Sequence, residues 1–257
     1  MAAFRIAEQA YEVFGAGETP VLAFHGFGQG PEAFAAWAGQ RPGLRVYAFR
    51  LHGHGWEGTP DARAWAEAMA VWMGEEGIRK CAVVAFSMGC RPAWQLLRWV
   101  PERISSLAAL APDGLHPHPL YWLATRTWIG KRLFPATLRA LAVLLPKLLQ
   151  CRCLPKRLGL PLWRVLQDDE ARARLAACWR HYRDWGLAPR ELARLMRLHG
   201  IAGVAILARR DPIVPAWGAK AWQRCLPELR VEVLEGGHFG LLRRGLSQLP
   251  VAGTMQL

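Results

Sequence analysis

Hydrophobic and polar positions follow two rhythms along the chain. Short apolar runs recur in "TPVLAFHG", "LRVYAFRLHG", "CAVVAFS", "ISSLAALAP", "GVAILARRD" and "LRVEVLEG". Runs of this length read as strands, and continuous apolar ones as strands buried on both faces of a parallel sheet. Earlier, "RIAEQAYEVFG" alternates polar with apolar and stops at glycine, which predicts an edge hairpin. Segments with a helical period lie between the strands. In "DARAWAEAMAVWMGEEG", Asp61 is placed to cap the helix, and Trp65, Met69 and Trp72 fall on one face. "GPEAFAAWAG", "MGCRPAWQLLRWVP", "AWGAKAWQRCL" and the segment after Gly240 read as further helices.

From about Asp113 to Gly200 this alternation stops. The segment reads as helical, interrupted by proline, basic and rich in Trp. The predicted architecture is α/β: a mostly parallel central sheet flanked by helices, with a helical insertion before the last two strands. Residues 1–113 and 201–257 are expected to form the core and residues 114–200 a cap.

Composition narrows the class. Of 257 residues, 52% are apolar and 21% charged, enough to bury a sizeable core and to exclude a disordered chain. The net charge is +13, and it is uneven: from Leu115 to Gly200 there are 16 Lys or Arg against 5 Asp or Glu. Arginine used for solubility accounts for this as well as an anionic membrane surface or an acidic carrier protein does; nucleic acid ranks last, because no binding motif accompanies the charge. "LFPATLRALAVLLPKLLQ" is the most apolar stretch, but Pro135, Arg139, Pro146 and Lys147 interrupt it, so it is not expected to span a membrane. The first fifteen residues contain no continuous apolar run. A cytoplasmic protein without a signal peptide is therefore expected, with its six cysteines reduced.

Within this frame, "AFSMG" places Ser87 between a strand and a helix, with small residues two before and two after it. Such a turn lifts the hydroxyl clear of the sheet and aims the first amides of the helix at whatever the serine attacks. A serine hydroxyl needs a base, and the base needs an orienting carboxylate. "LARRDPIVP" supplies Asp211 just past a strand, and "LEGGHFG" supplies His238 in a glycine-flanked loop after the last strand. "AFHGFGQG" ends an early strand in a glycine loop suited to an oxyanion site, so the backbone N–H groups of Phe27 and Met88 are the expected donors.

The motifs "HGFG", "LHGHG", "AFSMG", "PERISSLAALAP", "DPIVP" and "GGHFG" occur in this order over residues 20–240. Together they resemble the α/β-hydrolase superfamily, in its cap-bearing lipase, esterase and acyl-transfer-like branch. The resemblance implies Ser87, His238 and Asp211 as a catalytic triad, with Phe27 and Met88 as the oxyanion hole. The activity it implies is cleavage of an ester or thioester of an apolar acyl group through an acyl-enzyme, with no cofactor and no metal. One departure is Phe49-Arg50-Leu51-His52, where the family often has Asp ahead of "GHG".

Other residues carry competing readings. Asp113 is the alternative triad acid or a turn residue. His25 is expected to brace the oxyanion loop, and His25, Gly26, Trp122 and Trp128 are candidates for the substrate pocket. The spacing of His52 and His54 permits metal ligation, but with no carboxylates nearby a glycine-rich turn is preferred. His116 and His118 read as surface loop rather than pocket mouth, and Arg172, Arg174, Arg180 and Arg183 as a solvated face rather than a binding patch. The expected substrate is a small-molecule ester or an acyl group on an acidic carrier or coenzyme A. The reading from another class is a binding protein on an inactive hydrolase fold.

Overall fold

The fold is that of a computed structural model, which describes residues 4–56, 58–115, 125–151, 166 and 168–249. Seven strands form one sheet: β1 (Tyr11–Phe14), β2 (Thr19–Phe24), β3 (Leu44–Phe49), β4 (Cys81–Phe86), β5 (Ile104–Leu110), β6 (Ala202–Ala208) and β7 (Leu229–Leu234). Their spatial order is β1-β3-β2-β4-β5-β6-β7. Every neighbouring pair is parallel except β1 with β3. The expected hairpin is corrected here: β1 is an edge strand, but it pairs with β3, Tyr11 opposite Phe49, and not with the strand that follows it. Arg50 secures that edge by donating to the Gln9 carbonyl and pairing with Glu12. Arg50, in the stretch where the resembled family often has Asp, is thus engaged with β1.

β4 is buried along its whole length, as its unbroken apolar run requires. The helices are α1 (Ala35–Gly39), α2 (Ala62–Glu75), α3 (Cys90–Trp99), α4 (Trp128–Gln150), α5 (Asp169–His181), α6 (Pro189–His199), α7 (Ala219–Cys225) and α8 (Leu241–Gln248). Asp61 caps α2 by accepting from the Ala64 N–H at 2.8 Å, and Trp65, Met69 and Trp72 are all buried.

The chain divides into two compact units, residues 1–116 with 185–257, and residues 117–184. The first holds the sheet together with α1–α3 and α6–α8. In it the Leu187 N–H donates to the Gly114 carbonyl at 3.1 Å, so the chain returns beside the point it left. Glu191 on α6 pairs with Arg98 on α3, which makes α6 part of the sheet unit although it lies inside the 114–200 range expected for the insertion. The second unit holds α4 and α5. Its small core consists of Leu138, Leu145, Leu166 and Ala176, with Phe134, Ala142 and Leu175 packed against it. Phe134 and Trp179 stack at 4.8 Å between centroids. No helix among the described residues is long and apolar enough to cross a membrane.

Candidate active site

Ser87 follows the last residue of β4 and opens the turn into α3. Its φ is +52°, in the left-handed region that a residue with a Cβ seldom adopts. The neighbouring chain forces this turn to be tight. A Cβ on Gly89 would stand 2.3 Å from the Phe24 carbonyl oxygen and 2.5 Å from that of His25, so only glycine lets the turn rest on the end of β2.

Asp211 lies just beyond β6. Its Oδ1 accepts from the N–H groups of Ile213 at 2.8 Å and Val214 at 2.9 Å, which leaves Oδ2 for His238. The His238 Nδ1–H donates to that oxygen at 2.6 Å, and its Nε2 accepts from the Ser87 hydroxyl at 2.9 Å. All three residues are buried. Phe86 packs on the imidazole, with ring centroids 5.1 Å apart. Three side chains from well-separated parts of the sequence therefore form one line: hydroxyl, imidazole, carboxylate. Asp113, the alternative acid, is engaged elsewhere. Arg91 grips its carboxylate at 2.6 and 3.1 Å, and Trp94 donates to its backbone carbonyl.

The loop after β2 carries the other half of the site. The Gly26 N–H donates to Gln29 Oε1 at 3.0 Å, and the Gly28 N–H donates to His54 Nε2 at 2.8 Å. The amides on either side of Phe27 are thus engaged, while among the described residues no hydrogen bond holds the Phe27 N–H. Met88 lies in the short 3-10 turn Ser87–Gly89 that leads into α3, at a helix start where N–H groups have no intrahelical partner. A Cβ on Gly26 would come within 2.7 Å of the Phe86 ring, so the close packing of this loop requires glycine there.

His25 is wholly buried beneath the loop and donates through Nδ1 to the Gly26 carbonyl at 2.8 Å. Desolvation, partly offset by that hydrogen bond, lowers its pKa to about 3, so the ring is neutral at ordinary pH.

Reasoning from sequence missed His54. It expected a glycine-rich turn, and the turn is there: the Gly53 N–H donates to the Trp56 carbonyl, and His52 bridges to Trp56. The imidazole of His54, however, reaches across to the loop after β2. Its Nδ1–H donates to the His52 carbonyl at 3.2 Å, which fixes Nε2 as the acceptor for Gly28, and its ring meets Phe27 edge-on. The signal was the coincidence of two glycine-flanked histidine motifs, "FHGFG" and "LHGHG", at the ends of adjacent strands β2 and β3.

Of the remaining candidates, Trp128 belongs to the second unit and is 73% exposed. Trp122, His116 and His118 lie outside the described residues. Arg172, Arg174 and Arg183 are paired with Asp169, Glu170 and Asp184. The described residues hold no group of three or more His, Cys, Asp or Glu able to bind a metal.

Residues 21–246 match the family model described as "Alpha/beta hydrolase family". The chain belongs to the alpha/beta hydrolase family. As a member it is an enzyme of the hydrolase class, with the fold its sequence led one to expect. Solved structures of similar fold include a thermophilic esterase from Thermogutta terrifontis, at 18% identity and TM-score 0.65, covering 93% of this chain and 90% of that one. A carboxylesterase structure from Nitrososphaera gargenis is similar at 15% identity and TM-score 0.60, covering 94% and 92%. A serine hydrolase from Cycloclasticus zankles is similar at 20% identity and TM-score 0.60, covering 95% and 93%. No curated protein matches this chain in sequence.

Proposed function

We propose that this hydrolase cleaves a carboxylic ester of an apolar acyl group through a covalent acyl-enzyme on Ser87. The observation that carries the reading is the unbroken relay from the Ser87 hydroxyl to His238 at 2.9 Å and from His238 to Asp211 at 2.6 Å. Oγ attacks the ester carbonyl while His238 Nε2 takes its proton, and the C–O bond to the alcohol breaks as the imidazolium returns the proton to the leaving oxygen. Water then enters, gives a proton to His238 and attacks the acyl carbon. The Ser87 oxygen leaves, reprotonated by the same imidazole, and the acid departs. Asp211 fixes the tautomer with Nδ1 protonated and stabilises the imidazolium in both half-reactions. The Phe27 and Met88 amides receive the oxyanion, and each such donor is worth on the order of 10²–10³ in rate. The esterases and serine hydrolase among the structural neighbours favour the same chemistry. A thioester could follow the same steps. We assign acyl selectivity to the inserted segment.

A panel of p-nitrophenyl esters of increasing chain length tests the reading. Wild type is expected to turn them over with a chain-length optimum, and Ser87→Ala to lose at least about 10⁴-fold in kcat. Asp211→Asn should lose a comparable factor, while Asp113→Asn should retain kcat. Full activity in Ser87→Ala, or a fluorophosphonate label on any other residue, overturns it.

A further inference from the structure

Among the described residues, helix α4 packs through one of its faces. Phe134, Leu138, Ala142 and Leu145 point into the core of the second unit against Leu166, Leu175 and Ala176. Leu133, Thr137, Leu141, Leu144 and Leu148 follow a spacing of four, four, three and four residues, a single stripe along another face. The four leucines on it are all exposed, Leu133 at 53% and Leu144 at 50%. Val143 and Trp128 are exposed as well. At about 1.5 Å per residue the stripe is roughly 22 Å long. An aliphatic stripe of that length in water marks a surface that meets something apolar.

The charge on the same helix indicates what. The α4 sequence contains four Lys or Arg and no Asp or Glu. Arg132, Arg139 and Lys147 are exposed; Lys147 lies about 80° round the helix from the middle of the stripe, and Arg132 and Arg139 about 140° and 160°, on the polar face. Residues 117–184 contain only four acids, all between 168 and 184. Asp168 caps α5, and Asp169, Glu170 and Asp184 pair with Arg172, Arg174, Arg126 and Arg183. Among the described residues, no acid neutralises the three α4 cations.

We propose that α4 docks this enzyme in the plane of an anionic lipid surface, with the leucine stripe among the acyl chains and Arg132, Arg139 and Lys147 on the polar face, drawn to the surface by its negative charge. An amphipathic helix with an aliphatic face, a basic polar face and no acids has the chemistry of interfacial adsorption. An aliphatic stripe is a poor match for nucleic acid, which stacks on aromatic side chains. This inference is independent of the catalytic reading, because it is tested by adsorption and not by turnover.

The test is co-sedimentation of the whole protein with vesicles of phosphatidylcholine alone and with about 30% phosphatidylglycerol. Wild type should bind the anionic vesicles at least tenfold more tightly, with binding weakened as salt rises from about 0.1 M to about 0.5 M. A triple variant, Arg132→Gln, Arg139→Gln and Lys147→Gln, should lose on the order of a hundredfold. A second, Leu133→Ser, Leu144→Ser and Leu148→Ser, should lose on the order of tenfold or more at unchanged salt sensitivity. None of the six side chains belongs to the packed core, so both variants should keep the wild-type circular dichroism. Failure of wild type to bind anionic vesicles overturns the proposal, as does binding by both variants as tight as that of wild type. So does retention on an acidic polypeptide in preference to vesicles, or a dimer that the leucine variant splits while vesicles stay unbound.

Discussion

Two histidines at the loop after β2 illustrate what a single residue can do from outside the Ser87–His238–Asp211 line. His54 holds the Gly28 amide at 2.8 Å and so sets the path of the chain through Phe27. On the proposed mechanism, His54→Ala should lower kcat by about 10- to 100-fold with little change in KM, because it would loosen an oxyanion donor and leave the acyl site alone. His54→Gln, whose amide oxygen can accept from Gly28, should recover part of the loss. A rise in KM alone would place His54 in substrate binding. His25 acts on stability. Its pKa lies at about 3 in the fold, against about 6.5 in the unfolded chain, so between those values the unfolded state binds the extra proton. Stability therefore rises with pH across that window, and it falls as the pH drops from 6.5 towards 3. Between pH 6.5 and 5 this residue alone should cost about 2 kcal/mol, a loss that urea unfolding of His25→Gln should not show. Ser87, Asp211 and His238 were legible in the sequence because each stands at the end of a recognisable strand. The bond from His54 to Gly28 was not, because it joins residues 26 apart whose meeting depends on β2 and β3 being neighbours.

At the scale of elements, sequence reports what a segment is better than what it pairs with. Alternation in "YEVF" marked β1 as an edge strand, but a period of two carries no information about the partner, and the actual partner, β3, lies beyond both β2 and α1. The α4 helix shows the converse. Pro135 and Pro146 read as interruptions, yet one helix runs from Trp128 to Gln150, because its packing against α5 outweighs the two missing N–H groups. Glycines separate these effects experimentally. Gly89→Ala brings a methyl group against two backbone carbonyls that cannot retreat without moving the end of β2. It should cost about 3 kcal/mol or more in urea unfolding, with activity lost. Gly74→Ala, in α2 with nothing within 4 Å of the new Cβ, should instead add about 0.5 kcal/mol. If the two substitutions have equal effects, the close contact at the Ser87 turn is not what holds it.

For the whole molecule, the charge matters more than any single ion pair. Residues 117–184 carry 13 Lys or Arg against 4 Asp or Glu, a net +9 of the total +13. The sequence gives this imbalance directly; which cations lack a partner emerges only once the helices place the acids. A molecule at +13 attracts anions over roughly a Debye length, about 20 Å at 20 mM salt and 6 Å at 300 mM. The attraction acts on encounter, so it belongs in kcat/KM and not in kcat. A neutral ester does not feel it, so its kcat/KM should stay within about twofold between those salt concentrations. An ester of the same length with a carboxylate at the far end of its acyl chain should be steered, and its kcat/KM should fall several-fold over the same range at constant kcat. Stopped-flow or steady-state rates on such a matched pair decide the point. If the two esters respond equally to salt, the positive potential does not extend to the path by which substrate reaches Ser87, and the excess charge then acts only where α4 meets its own partner.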